Sequence, residues 1–166
     1  MKEKYCFRQA TKEELGEIFA LILSRMAWMD SVGIQQWNAT KYDQRYPMDY
    51  YEMRQKQGEL FVMRESEDGK LLCIGGLLRE DERWPESASA LYLHHFASDP
   101  AHKGMGSIFL EMAEAYTAQQ GMEYMRPDSA IGNEKLENYY TSRGYVPAGE
   151  CKDGAYEGIL RQKKLR

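Results

Sequence analysis

Residues 90–121, ALYLHHFASDPAHKGMGSIFLEMAEAYTAQQG, constrain the fold more than any other stretch of this chain. The first nine residues are apolar enough to form a strand that is covered on both faces. Apolar residues then recur at helical spacing until Gly121, which is typical of a helix end. Gly104 and Gly106 lie between the two patterns. The sequence therefore predicts a strand, a glycine-containing loop and a helix in direct succession.

Two explanations account for these glycines, and the residues alone leave both open. An ordinary tight turn uses the conformational freedom of glycine. A loop that binds a phosphate also uses it, because bare backbone N–H groups and a helix N-terminus together attract an anion. A phosphate loop that closes with Gly-Lys-Ser/Thr is excluded, since the stretch has no such triplet. A dinucleotide-binding fingerprint is a poor match, because its third glycine is missing.

The segments before this stretch predict one strand, two helices and a hairpin. The strand covers residues 5–10, and Thr11 with Glu14 forms a capping box that starts the first helix. A second helix is expected over residues 47–58, from a proline at its start to a glycine at its end. The dipeptide Asp68-Gly69 between two apolar runs indicates the hairpin.

Two local signals qualify the predicted strands. Gly75-Gly76, within the second apolar run of the hairpin, indicates a bulge or a close approach by another backbone. Pro127 lies within a weaker strand at 122–130, so the hydrogen-bond ladder there should be incomplete. The remaining predicted elements are a helix from Asn133 to Gly144 and closing strands at 145–150 and 156–165.

The order of these elements is β-α-α-β-β-β-α-β-α-β-β. It predicts the α/β (α+β) class, with a mixed, largely antiparallel central sheet flanked by helices. The length of 166 residues is that of one ordinary domain, so we expect a single domain over 1–166.

Charge and cysteine usage argue against several classes of protein. The net charge of −4 does not favour nucleic acid binding, and the basic tail at 160–166 lacks interleaved aromatic residues. The longest apolar stretch, at 18–23, is too short to cross a membrane. Cys6, Cys73 and Cys151 are scattered and form no disulfide framework. We therefore expect a cytoplasmic protein with neither nucleic acid nor membrane as a partner.

Residues 91–145 carry two motifs at a characteristic separation. Gly104 and Gly106 match the pattern Arg/Gln-x-x-Gly-x-Gly/Ala, with Ala101 at the Arg/Gln position. A helix-starting asparagine followed by Tyr-x-x-x-Gly-Phe/Tyr is matched by Asn133, Tyr140, Gly144 and Tyr145. In these two motifs the chain resembles the GCN5-related N-acetyltransferase (GNAT) family. Before residue 91 only the order of the elements agrees.

The resemblance implies a sheet that splays between its fourth and fifth strands, and acetyl-CoA as the cosubstrate. It implies that the pantetheine arm pairs with backbone groups of Phe96, Ala97 and Ser98. It implies that the pyrophosphate is held by the backbone amides of Lys103, Gly104, Met105, Gly106 and Ser107. It also implies that Asn133 reaches the pantetheine and that Tyr140 lies near the sulfur.

Acetyl transfer from a thioester to an amine makes three chemical demands on such a site. The amine must lose a proton, the developing oxyanion needs a hydrogen-bond donor, and the leaving thiolate needs a proton. By the resemblance, the Ser98 N–H would face the thioester carbonyl. A tyrosine phenol, with an ordinary pKa of about 10, suits the thiolate, so Tyr140 is the candidate proton donor. The alternative is that Tyr140 is a core aromatic residue beside Leu136.

The two histidines of the predicted strand are sequence neighbours, so their side chains should point to opposite faces. Such neighbours cannot share one metal ion, and we expect no metal site. His94 should share a face with Phe96 and Ser98, which makes it the candidate base, acting directly or through water. An ordinary packed or solvated histidine is the alternative.

The segment after the first helix commonly lines the acceptor side in the family that this chain resembles. Here that segment supplies Trp28, Asp30, Gln35, Gln36, Trp37 and Tyr46. Aromatic rings with a carboxylate suit a cationic amine. A packed irregular loop with buried tryptophans is the alternative.

The sequence thus predicts an acetyl-CoA-dependent N-acetyltransferase. The acceptor would be a primary amine of a small molecule or peptide, attacking directly in a ternary complex. A CoA-binding sensor of the same fold without turnover is one alternative, and a generic nucleotide-binding module is another. Whether the chain forms a homodimer stays open.

Overall fold

The computed structural model describes residues 4–33, 37–38 and 40–165, and this part of the chain forms seven strands and five α-helices. The strands are β1 Tyr5–Gln9, β2 Leu60–Glu65, β3 Leu71–Leu78, β4 Ala90–Ser98, β5 Tyr124–Ala130, β6 Val146–Asp153 and β7 Tyr156–Lys164. The helices are α1 Leu15–Val32, α2 Tyr42–Arg45, α3 Met48–Lys56, α4 Met105–Gln119 and α5 Glu134–Ser142. Among the described residues, no helix has both the length and the apolar character needed to cross a membrane.

The strands are hydrogen-bonded in the order β1-β2-β3-β4-β5-β7-β6. The pairs β1–β2, β2–β3, β5–β7 and β6–β7 are antiparallel, whereas β4 and β5 run parallel. This confirms the predicted mixed, largely antiparallel sheet with helices. The one-turn helix α2 was not predicted, because four residues are too few to produce a helical period.

The chain packs as two compact units. The first unit comprises Met1–Leu77 and His95–Ala113, and the second comprises Leu78–His94 and Glu114–Arg166. The single domain expected over 1–166 stays a prediction.

The core of the first unit lies between α1, α3 and the strands β2 and β3. Ile18 and Ile22 lie about one turn apart on α1 and are fully buried. They pack in one cluster with Tyr51 of α3, Val62 of β2 and Ile74 of β3. The apolar spacing of α1 therefore fixes which of its faces meets the core.

The register of the hairpin corrects one of the two explanations for Gly75-Gly76. These glycines pair regularly with Phe61 and Leu60, and the register shift lies between Met63 and Arg64 on the opposite strand. Arg64 donates to the carboxylates of Glu14 and Glu17 and to the carbonyl of Gly69. The residue skipped by the register is Leu72, on the same strand as the two glycines. The turn itself lies at Asp68-Gly69 as predicted, with Gly69 at a φ of 74°.

The parallel register of β4 with β5 runs from Ala90–Tyr124 to Leu93–Pro127. It ends at a proline, which has no N–H to continue the ladder. β4 itself continues to Ser98.

Glu14 is a buried anion at the start of α1, with a side chain that is 9% exposed. Its carboxylate pairs with Arg8 and Arg64, each at 2.7 Å, and accepts from the Thr11 N–H at 2.9 Å. Burial alone would raise the pKa of Glu14. The hydrogen bonds from Arg8, Thr11 and Arg64 outweigh it and lower this pKa to about 2.

Replacing Glu14 by glutamine should lower the free energy of unfolding at pH 7 by about 2 kcal/mol, because charged hydrogen bonds to both arginines are lost. The folded-state pKa lies below the ordinary value of 4.5, so this stabilisation is complete above that pH and is lost as the pH falls towards 2. Urea unfolding of the original protein and of Glu14→Gln over this pH range measures the effect.

Glu13→Gln is the matched control, because Glu13 is the exposed neighbour of Glu14 in the same turn. It should change the free energy of unfolding little at any pH. A difference for Glu14→Gln that does not shrink in acid would contradict the assigned network.

Candidate functional site

The end of β4 is anchored through its side chains. The Phe96 ring stacks on Phe109 of α4, with centroids 5.6 Å apart, and Ala97 is buried in the core of the first unit. The N–H of Asp99 donates to the carbonyl of Leu72 at 2.9 Å, which ties the end of β4 to β3. The predicted pantetheine stretch, Phe96 to Ser98, therefore belongs to a fixed strand whose backbone can serve as a template.

The loop after β4 is organised by Asp99. Its carboxylate accepts from the Ala101 N–H at 2.9 Å and lies 3.3 Å from His102 Nδ1, while its carbonyl accepts from the His102 N–H at 3.0 Å. The next residues lead directly into α4. This is a local turn stabilised by a carboxylate, since Asp and Asn side chains commonly accept from backbone N–H groups two residues on.

Gly104 has a left-handed backbone with a φ of 85°, and a Cβ built on it would meet no atom within 4 Å. Glycine is therefore needed here for conformation and not for space. Gly106 lies inside α4, which begins at Met105. The two glycines thus differ, because the structure requires a left-handed conformation only of Gly104.

The start of α4 has the properties of an anion site. The first turn of any α-helix directs backbone N–H groups outward at the positive end of the helix dipole. The first turn of α4 holds no acidic residue. Lys103 and Gly104 are exposed, and Met105, Gly106 and Ser107 are half-buried. The five residues predicted to hold a pyrophosphate are thus consecutive around one helix start in the first unit.

Asn133, in the second unit, caps α5 as predicted. Its Oδ1 accepts from the Leu136 N–H at 3.0 Å. The acceptor oxygen is therefore used within the chain, and the Nδ2 amide is the part of the side chain suited to a ligand carbonyl.

Tyr140 lies on α5 in the second unit and is 4% exposed. Its ring meets the rings of Tyr139 and Tyr145 edge-on, each with centroids 5.4 Å apart. Tyr145 is fixed in turn, because its hydroxyl donates to Glu114 at 2.7 Å. Burial, followed by the neighbouring Glu114, raises the pKa of Tyr145, so this phenol stays protonated. Tyr140 is therefore a buried residue packed against two aromatic rings, while its packing beside Leu136 and its proton-donor role stay predictions.

His94 lies in the second unit, where its Nε2 is 2.7 Å from Asp81 and its Nδ1 is 3.9 Å from Asp128. His95, between His94 and Phe96, has a left-handed φ of 55°, yet half-buried and buried residues alternate from His94 to Ser98. The shared face of His94, Phe96 and Ser98 stays a prediction. His94 as the candidate base stays a prediction.

Asp81, His94 and Asp128 place potential metal-ligand atoms within 4.8 Å of one another. The sequence did not indicate this group, because its members come from three separate segments. The carboxylate of Asp128 already contacts Arg83 at 3.3 Å and accepts from the Tyr156 hydroxyl at 2.5 Å. The site is therefore arranged as a network of ion pairs and hydrogen bonds.

The pKa values of this network follow its contacts. Burial would raise the pKa of Asp81, but the hydrogen bond and charge of His94 outweigh it and hold the pKa low. Burial and the adjacent Asp128 raise the pKa of Tyr156. Asp81 is thus an anion and Tyr156 a neutral donor at neutral pH.

The predicted acceptor residues have different partners in the structure. The guanidinium of Arg25 lies 4.1 Å from the Trp28 ring, and Asp30 accepts from the Asn38 amide at 2.6 Å. Trp37 stacks on Tyr42 at 4.2 Å with an interplanar angle of 9°. Gln35 and Gln36 lie outside the described residues. Of the predicted set, Trp37 and Tyr46 both contact Tyr42 in one aromatic cluster. Trp28 and Asp30 lie inside α1 and not in the segment after it.

His95 is the residue that sequence reasoning missed. It is 4% exposed, and its ring lies within 6 Å, centroid to centroid, of four tyrosine rings at positions 42, 46, 50 and 51. Three of these tyrosines follow one another at intervals of four residues. That spacing is no sequence signal for the cluster, because Tyr42 lies in α2 and Tyr50 in α3, with Tyr46 and Pro47 between the two helices.

We expect excess Zn²⁺ or Mn²⁺ to leave the melting temperature unchanged. A metal ion at Asp128 would have to displace Arg83 and the hydrogen of Tyr156. Thermal unfolding with and without each metal, in the original protein and in Asp128→Asn, measures this. A rise in melting temperature that Asp128→Asn removes, and that the hairpin variant Asp68→Asn does not, would contradict the expectation.

Neither a protein-family model nor a curated protein sequence matches this chain. Solved structures do. A GNAT-family acetyltransferase from Listeria monocytogenes matches with a TM-score of 0.77 and 22% identity, over 96% of this chain and 94% of that one. The PaiA N-acetyltransferase of Thermoplasma acidophilum, in complex with coenzyme A, matches with a TM-score of 0.72 and 17% identity, over 98% and 99%.

N-acetylglutamate synthase from Neisseria gonorrhoeae, in complex with coenzyme A and N-acetyl-glutamate, matches with a TM-score of 0.69 and 16% identity. All of this chain is covered, but only 36% of that one. The strand order, the single parallel pair among the strand pairs described above and these likenesses agree. This chain has the fold of the GNAT acetyltransferases.

Proposed function

We propose that this protein is an acyltransferase that moves the acetyl group of acetyl-CoA to a primary amine of a small molecule or peptide. The observation that carries the proposal is the left-handed Gly104 between β4 and the start of α4. In a fold shared with acetyltransferases, a backbone conformation that exposes N–H groups at a helix start suits a pyrophosphate. An ordinary turn would also use a left-handed glycine, but the position of this one, in a fold shared with acetyltransferases, favours the phosphate loop.

The structural neighbours support acetyl-CoA as the cosubstrate. The Thermoplasma and Neisseria enzymes are both described in complex with coenzyme A. Their identities to this chain are 17% and 16%, so the ligand is transferred here as a proposal and the acceptor amine is not transferred at all.

The residues of the first unit would bind the cosubstrate through their backbone. The amides from Lys103 to Ser107 would hold the pyrophosphate, and the fixed stretch from Phe96 to Ser98 would pair with the pantetheine arm. The Ser98 N–H would donate to the thioester oxygen as it becomes an oxyanion. One preorganised donor of this kind lowers the barrier by about 3–4 kcal/mol.

The chemical step would be a direct attack. The amine nitrogen bonds to the thioester carbonyl carbon, the carbon–sulfur bond breaks, and the thiolate takes the proton of the Tyr140 phenol. The amine proton goes to a base, for which His94 is the candidate. If Asp81 accepts the hydrogen of His94 Nε2, then Nδ1 is the ring atom left to take that proton.

A CoA-binding sensor without turnover is the second candidate, and one observation favours it. Tyr140 is 4% exposed and packed between two other tyrosines, which a purely structural residue would also be. A measurement of thiol release with a panel of amines separates the two functions.

Acetyl-CoA should raise the melting temperature of the protein, and Gly104→Val should abolish the rise. A β-branched residue cannot adopt a φ of 85° without strain, so the loop must change its conformation. Gly121→Val is the matched control, because Gly121 follows the other end of the same helix with a φ of 83° and equally open surroundings. It should lower the stability similarly but keep the ligand-dependent rise.

Normal acetyl-CoA binding by a folded Gly104→Val protein would place the pyrophosphate elsewhere. ATP should bind far more weakly than CoA, since only CoA carries a pantetheine arm to pair with β4. Comparable affinity for both ligands would favour the generic nucleotide-binding module.

Tyr140→Phe keeps the packed ring and removes only the proton donor. With an amine that turns over, kcat should fall by about 10²–10⁴ while acetyl-CoA affinity changes little. Steady-state kinetics and ligand titration measure the two quantities. Tyr139→Phe is the control, because the Tyr139 hydroxyl is buried and has no hydrogen-bond partner among the described residues. Full kcat in Tyr140→Phe would remove this tyrosine from the mechanism.

A further inference from the structure

A chain of hydrogen bonds inside the first unit links α3 to β4 and α2 through His95. Glu59 pairs with Arg54 at 2.9 Å, and Arg54 Nε donates to the Tyr50 hydroxyl at 3.0 Å. That hydroxyl lies 2.7 Å from His95 Nε2. The other ring nitrogen, Nδ1, is hydrogen-bonded to the hydroxyl of Tyr42. Both nitrogens of a buried imidazole are therefore engaged by phenols.

The arginine fixes one half of this chain. A guanidinium can only donate, so the Tyr50 oxygen accepts from Arg54. That oxygen has a second lone pair, so at His95 either the Tyr50 hydroxyl donates to Nε2 or Nε2–H donates to Tyr50. The first arrangement also gives the buried Tyr50 hydrogen a partner, and in it Nε2 carries no proton. The neutral imidazole then holds its hydrogen on Nδ1, which donates to the oxygen of Tyr42.

The backbone of His95 depends on the same contacts. Its φ of 55° is uncommon for a residue other than glycine. Such a conformation persists where the surroundings over-determine it, and here two hydrogen bonds and four neighbouring rings do so. Phe96, the first residue of the stretch proposed to pair with pantetheine, follows directly.

Tyr42 carries the effect of His95 to the predicted acceptor side. Its ring stacks on Trp37 at 4.2 Å and lies 4.9 Å from the ring of Tyr46. These three rings come from the segment expected to meet the amine. Fixing the Tyr42 hydroxyl therefore fixes the Trp37–Tyr42 stack.

We propose that His95, as the neutral Nδ1–H tautomer, is a positioning residue for acetyl transfer that holds the Trp37–Tyr42 stack as a wall of the amine site. This inference rests on the proposed function. His95 transfers no proton in this role. It fixes the wall to the same strand whose next residues would hold the cosubstrate.

The tautomer is measured first, by long-range ¹⁵N–¹H NMR of the imidazoles. The chain has three histidines, and the signals absent from His95→Asn assign His95. We expect Nδ1 protonated and Nε2 unprotonated, with the pattern perturbed by Tyr50→Phe. Tyr5→Phe, which changes a tyrosine at the start of β1, is the control and should leave it unchanged. A protonated Nε2 in the original protein overturns the assignment, whether or not the protein is an enzyme.

Kinetics then test the positioning role. Asparagine tolerates a positive φ and its amide reaches the place of Nδ1, so His95→Asn should keep the acceptor KM within about threefold. Glutamine reaches the place of Nε2 instead, so His95→Gln should raise the acceptor KM at least about tenfold (about 1.4 kcal/mol) with the acetyl-CoA KM unchanged. If His95 were merely structural, His95→Gln would change the acceptor KM and the acetyl-CoA KM together as the melting temperature falls, or would change neither.

The possible failures are distinguishable. Turnover in the original protein with an acceptor KM that His95→Gln leaves unchanged overturns the positioning role alone. A folded protein that binds acetyl-CoA but acetylates no amine overturns the proposed function and, with it, this role. Tyr42→Phe removes the acceptor of the Nδ1–H bond and should reproduce the His95→Gln kinetics, and normal kinetics in that variant would also overturn the role.

Discussion

The backbone contacts proposed for the cosubstrate lie between two left-handed residues, His95 and Gly104, or directly after Gly104 at the start of α4. Their φ values are 55° and 85°. They reach the same region of conformational space by different means. Gly104 has no Cβ and therefore no steric penalty there, whereas His95 is held by a hydrogen bond at each ring nitrogen. The segment between them contains the end of β4 and the loop that leads into α4.

The two adjacent histidines of β4 have different hydrogen-bond partners, which suit them to different roles. His94 is hydrogen-bonded to Asp81, an acidic partner with which it forms an ion pair when protonated. His95 is hydrogen-bonded at both ring nitrogens to phenols, and Arg54 donates to one of these phenols, Tyr50. A carboxylate partner suits proton exchange, whereas a chain of neutral donors suits a fixed tautomer.

Local features of the fold and candidate site could be predicted from the sequence. The capping box of Thr11 and Glu14, the turn at Asp68-Gly69 and the cap by Asn133 each involve residues within four positions of one another. Their side chains bond the neighbouring backbone whatever the rest of the chain does. The bulge expected at Gly75-Gly76 was wrong in position: the irregularity lies nearer the turn on the same strand, where Met63 and Arg64 face Cys73 and Leu71 and leave Leu72 unpaired with β2.

The sequence by itself determined the order of the strands and of every α-helix except α2, the glycine loop before α4 and the helix start at Asn133. Apolar periodicity, capping and turn chemistry act over a few residues and can be recognised without a partner. The tertiary structure alone decided that His95 bonds Tyr50 and Tyr42, 45 and 53 residues away, and that Asp128 neutralises Arg83. Such contacts exist only when packing excludes water from groups that are distant in sequence, because exposed polar side chains bond water equally well.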